Sequence, residues 1–187
     1  MSVTLEKRAL RAKVLAARAG MASGRLLAAA DSLFENLVLF LRGYPRSVIS
    51  CYMPMASEPG GPALPDRLAA AFPESTLLLP VLLPDLDLDW APYAGPHSLS
   101  LTSRRLYEPT TPRLGPEAIA TAQIAIVPAL ATDADGHRLG RGGGSYDRAL
   151  SRLTAGTVSV ALLHAGELLN CVPYEPHDCR VAHSLEP

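Results

Sequence analysis

The chain of 187 residues carries a net charge of -1, with 48% hydrophobic and 19% charged residues. That is enough for one domain, 1–187, with a sizeable core, and the composition excludes a disordered segment. The balanced charge offers no general nucleic-acid or membrane surface, so the expected partner is a small molecule.

The spacing predicts a helix from Thr4 to Ala19, with Leu10, Val14 and Ala17 on one stripe and Lys7, Arg11 and Arg18 on a neighbouring one. A second helix, Ser23 to Leu41, repeats apolar residues at three and four positions: Leu26, Leu27, Ala30, Leu33, Phe34, Leu37 and Val38. Asp31, Glu35 and Asn36 within it argue against a membrane span, and no apolar leader precedes it, so a cytoplasmic location is expected. SVISCYM, 47–53, is rich in β-branched residues and reads as a buried strand. ALPDRLAAAF is a short helix with Pro65 near its first turn, STLLLPVLL a strand, and LDWAPY a candidate for another. Prolines 92, 96, 109, 112 and 116 divide the stretch from Asp85 to Pro116 into loops and edge pieces. QIAIVPAL, 123–130, is the clearest strand; a helix from Ser145 to Leu153 and a strand at 157–163 follow. Strands alternating with helices predict an α/β fold, a three-layer α/β/α sandwich around a mainly parallel, Rossmann-like sheet. Cys51, Cys171 and Cys179 are odd in number and lack CxxC spacing, which predicts free thiols.

RLGRGGGSYDRAL, 138–150, places four glycines within five positions between the clearest strand and a helix start. Ligands bind there in parallel sheets, and glycines let successive amides converge on an anion beside a helix N-terminus. Arg138 and Arg141 add charge-assisted donors, so the stretch reads as a phosphate cradle. It lacks the final Gly or Ala of a dinucleotide fingerprint and the GK[ST] of a Walker loop. Asp147 suits both the helix dipole and a magnesium ion held beside phosphate, and position alone leaves both open. Asp178 follows a Pro-rich turn, where backbone capping is the commoner role. His137, next to Arg138, reads as exposed loop filler, with an approach to phosphate as the alternative, and His177 beside Asp178 is ambiguous.

The same stretch resembles the RLGRGxGYYDxxL signature of 5-formyltetrahydrofolate cyclo-ligases. Further blocks match in order: KRALRAKV, YMPMASE, LYEP, IVPALATDADGHRLGRG and VPYEPHD. The resemblance implies closure of 5-formyltetrahydrofolate to 5,10-methenyltetrahydrofolate at the expense of ATP, with magnesium. It implies ATP contacts from Lys7, Arg8 and Arg11 on the first helix and from Arg138, Leu139, Gly140, Arg141, Gly142, Gly143, Gly144, Ser145 and Tyr146. It also implies substrate contacts from Met53, Glu58 and residues 141–145, catalytic roles for Arg141 and Tyr146, and magnesium ligands at Asp147 and Asp178. A monomer acting on a folate, with or without a polyglutamate tail, is expected.

Four departures stand out. Ser145 takes the first place of the Tyr-Tyr pair, where it is a good N-cap. Ala182 replaces a frequent Asp, Thr132 a usual Phe, and no Glu-Val-Asp-Thr run follows Glu58. Ser145 and Ala182 keep open an alternative, a non-catalytic relative that binds folate or nucleotide; a related ATP chemistry on another N-formyl or thiazole-like substrate is a third reading.

Overall fold

The computed structural model describes residues 2–187. Helix α1 (Val3–Ala19) starts at Ser2, whose hydroxyl accepts from Leu5 N, and α2 (Ser23–Leu41) follows. The chain continues through β1 (Val48–Ser50), α3 (Leu64–Ala71), β2 (Thr76–Leu82) and β3 (Leu88–Pro92). A short hairpin, β4 (Leu99–Leu101) and β5 (Tyr107–Pro109), leads to a 3-10 turn at Pro116–Thr121 and to β6 (Ile124–Pro128). After β7 (Ala131–Asp133) and β8 (Arg138–Leu139) come α4 (Ser145–Ser151), β9 (Val158–Leu162), β10 (Leu168–Leu169) and β11 (His183–Leu185).

The main sheet has the order β11-β9-β6-β1-β2-β3, parallel throughout except for β3, which runs antiparallel on the edge. Side chains alternate across it with period two, as a pleated sheet requires. Ile49, Cys51, Leu77, Leu79, Ile124, Ile126, Val160 and Leu162 face Leu33, Leu37 and Leu41 of α2 and Leu64 and Leu68 of α3. Ala125, Val127, Ala161 and Leu163 face α4 through Leu150, and Leu78 and Trp90 pack with Ile119 and Ala149. The expected three-layer α/β/α arrangement is therefore present. A second small sheet, β10-β7-β8, carries α1 through Val14, Leu130, Leu139 and Val172. Among the described residues no helix is long and apolar enough to cross a membrane.

Several expectations change in detail. The strand expected over 47–53 is laddered only from Val48 to Ser50. Strand β2 runs past it, so Pro80 lies beyond the stretch of β2 paired to β1, Thr76–Leu78, where its missing N–H is not needed. The proline-rich middle holds the regular edge strand β3 and the β4–β5 hairpin, with Pro92 and Pro109 at strand ends. On α1 the basic stripe is the buried one: Lys7, Val14 and Arg18 are buried while Ala17 is exposed. Leu27 of α2 also stays in solvent, 65% exposed.

Candidate functional site

Beyond the carboxyl ends of β1 and β6 lies a cavity of about 270 Å³, walled by Tyr52 to Glu58 after β1, Pro128 to Leu130 after β6, and the glycine-rich loop 140–144. Its far wall is apolar, built from Pro80, Leu82 and Leu88 of the sheet edge and Leu106 and Tyr107 of the hairpin. This is the crevice where open α/β sheets bind ligands.

The loop is shaped by glycine. Gly142 at φ +100° and Gly144 at φ +71° adopt the left-handed backbone that side chains disfavour. The amides of Arg141, Gly142, Gly143 and Gly144 have no acceptor among the described residues. Gly144 is the N-cap of α4 and Ser145 its first helical residue, so the capping expected of Ser145 falls to a left-handed glycine.

Two arginines divide the work. Arg138 is buried beneath the loop, donating from Nη2 to Asp147 Oδ1 (2.8 Å) and from Nη1 to the Pro128 carbonyl (3.3 Å). Its guanidinium stands 2.8 Å from where a Cβ on Gly140 would sit, so it props the loop from within. Arg141 has a side chain 49% exposed and uses only Nε, donated to Glu58 Oε1 over 2.9 Å. Glu58 is buried, and its Oε2 accepts the Met55 amide. A tight Pro-Gly-Gly turn follows it, with Gly60 and Gly61 at positive φ, and the Tyr52 hydroxyl donates to the Pro59 carbonyl over 2.6 Å.

Tyr146 packs against three clusters of the core, and its buried hydroxyl has no partner among the described residues. Burial foremost, then nearby Cys51 and Glu58, raise its pKa far above the ordinary value, so at neutral pH it is a hydrogen-bond donor.

The structure thus gathers Met53, Glu58, Arg138, Gly140 to Tyr146 and Asp147 around one cavity. Arg11 joins from outside, donating Nε to the Gly140 carbonyl over 2.8 Å and lying against Gly142. Leu139 is buried in the second sheet, 1% exposed, and contributes backbone alone. Lys7 and Asp178 sit beside each other away from the cavity: Nζ of Lys7 donates to Asp178 Oδ2 (2.5 Å) and Glu175 Oε2 (2.8 Å). Burial works against that ammonium, but the two carboxylates outweigh it and raise its pKa. Arg8 is exposed on the next face of α1. Among the described residues Asp147 Oδ2 and Asp178 Oδ1 have no hydrogen-bond donor, although His177 Nε2 lies 3.8 Å from the latter, and Glu175, His177 and Asp178 form a group with ligand atoms within 4.8 Å of one another.

His137 is not loop filler. It is buried, donates Nδ1 to Asp133 and stacks on Tyr174 at 3.7 Å, which pins the DADGH turn to the tail. Thr132, one of the departures from the signature, is fully buried with its hydroxyl bonded to Ser184 (2.7 Å). Sequence reasoning missed Arg18, whose Nε and Nη2 grip Glu167 (2.7 Å each) while Nη2 also reaches the Ala129 carbonyl. Glu167 in turn accepts the His164 amide, and His164 Nε2 donates to the Ser57 carbonyl, tying α1 to the loop that carries Glu58. The only signal was the position of Arg18 on the stripe of Lys7 and Arg11.

Residues 3–187 match the profile of the 5-formyltetrahydrofolate cyclo-ligase family. A relative from Mycolicibacterium smegmatis named 5-formyltetrahydrofolate cyclo-ligase is 41% identical over 144 residues, 74% of this chain and 73% of its own length. The 5,10-methenyltetrahydrofolate synthetase structure from Mycoplasma pneumoniae superposes with a TM-score of 0.76 at 19% identity, over 97% of this chain and 98% of that one. The Aquifex aeolicus protein of the same name gives 0.78 at 24% identity, over 96% and 88%. Both share the fold.

Proposed function

The chain belongs to the 5-formyltetrahydrofolate cyclo-ligase family, and on that premise we propose that it closes 5-formyltetrahydrofolate to 5,10-methenyltetrahydrofolate, consuming ATP with magnesium and releasing ADP and phosphate. The observation that carries this reading is the row of open amides from Arg141 to Gly144, beside a half-free guanidinium, on the rim of a largely apolar cavity.

A formamide carbon is a weak electrophile and its oxygen a poor leaving group; ATP supplies the phosphoryl group that makes that oxygen leave. The protein has to position and to stabilise charge. Amides of Gly142 to Gly144 and the free Nη groups of Arg141 grip the phosphates, with Arg11 bracing the loop through Gly140. Glu58 holds Arg141 by Nε, so its two Nη groups remain aimed at the anion. Tyr146 donates its hydroxyl to a polar atom of the folate, and the apolar wall excludes water. Asp147 and Asp178 suit magnesium, each offering one unbonded oxygen of the hard type that the ion prefers. On this reading the chain is one catalytic domain, a cytoplasmic monomer whose partners are small molecules, polyglutamylated folates included.

Purified protein given ATP, magnesium and 5-formyltetrahydrofolate is expected to develop the near-ultraviolet absorbance of the methenyl product. No rise from a folded sample overturns the reading, and tight folate binding in calorimetry without turnover would make the chain a non-catalytic binder.

A further inference from the structure

Of the three carboxylates lining the cavity, Glu58, Asp147 and Glu108, the last is left idle by the phosphate chemistry. Glu108, on β5, lines the apolar wall next to Leu106 and Tyr107. Its Oε1 accepts the Leu82 amide at 3.0 Å, which fixes the side chain on the exposed end of β2. Its Oε2 has no donor among the described residues, and no Lys, Arg or His side chain pairs with it, unlike Glu58. Glu58, by contrast, already has a cation, Arg141 Nε on one oxygen, with the Met55 amide on the other. A half-buried carboxylate with one open oxygen beside apolar side chains is a ready acceptor for a pair of N–H donors.

The 2-amino-4-oxopyrimidine edge of a reduced folate presents two parallel N–H donors, from N3 and from the 2-amino group. That fork matches a carboxylate as a guanidinium does. Resting on the cyclo-ligase reading of the cavity, we propose that Glu108 determines specificity by receiving this amidine edge, so that the pterin lies against the hairpin wall while its formyl end faces the glycine-rich loop.

Glu108→Gln tests this directly. The amide oxygen of Gln keeps the bond to Leu82, while its NH₂ meets the pterin donors with a donor. KM for 5-formyltetrahydrofolate is expected to rise about tenfold or more, as loss of a charge-assisted bond requires, with KM for ATP unchanged. A merely structural role would not touch a second readout. Wild-type enzyme should prefer the natural folate over an analogue with methyl in place of the 2-amino group by about tenfold or more, and Glu108→Gln should lose that preference. Wild type that does not discriminate, or a folded variant with unaltered KM and preference, overturns the proposal alone; absence of any wild-type turnover overturns the cyclo-ligase reading along with it.

Discussion

Tyr146 lines the cavity, and its buried hydroxyl has no partner among the described residues. Tyr146→Phe therefore removes no bond from the folded state: stability in urea is expected to hold or rise slightly, while kcat/KM falls several-fold. Arg141→Ala leaves Glu58 buried without its cation and, on the proposed reading, removes a phosphate donor, so turnover is expected to fall by more than about tenfold. Unchanged single-turnover rates would show that this guanidinium does no catalysis. Gly136 is a structural counterpart: its φ of +82° and a Val181 carbonyl 2.3 Å from any added Cβ mean that Gly136→Ala should cost more than about 1 kcal/mol in chemical denaturation. These residues were legible in different degrees. Glycines crowded into 140–144 announce a loop with left-handed backbone, which Gly142 and Gly144 adopt, whereas Arg138 could not be told from Arg141, because which one lies under the loop depends on where β8 places it.

At the level of elements, α1, α2, β6 and β9 were plain from period and length, since packing on a sheet needs a long apolar stripe and a buried strand needs a continuous apolar run. The small sheets were not: β7, β8 and β10 are two or three residues each, too short to show a pattern. Nor could amphipathicity foresee that the basic face of α1 turns inward, because the partners of Arg18 and Lys7 lie more than a hundred residues away. Removing one side of the Arg18–Glu167 pair strands a buried charge. Arg18→Ala is expected to lower unfolding free energy by about 3–5 kcal/mol, and Arg18→Met with Glu167→Leu to recover most of it. A loss below about 1 kcal/mol for the single variant would mean that water solvates the pair after all.

Across the whole molecule the layers follow from alternation, and the site follows from topology: β1 stops at Ser50, β2 runs on to Leu82, and the difference opens the crevice. Ion pairs between layers make the fold acid-sensitive. Asp87 is held below its ordinary 3.8 chiefly by its bonds to Arg152, and Asp133 also lies low because amides of Val172 and His137, with the His137 ring, outweigh its burial. A lowered folded pKa gives stability that is complete above the unfolded value and lost as pH falls through the folded one, so the urea midpoint should be flat near neutrality and drop below about pH 4. Asp87→Asn should flatten that drop. Everything functional rests on the loop at 140–144 holding the nucleotide. A crystal structure with a non-hydrolysable ATP analogue and magnesium tests it most directly: the phosphates are predicted within hydrogen-bond reach of the amides of Gly142 to Gly144 and of Arg141, and phosphates bound elsewhere with that loop empty would contradict the account.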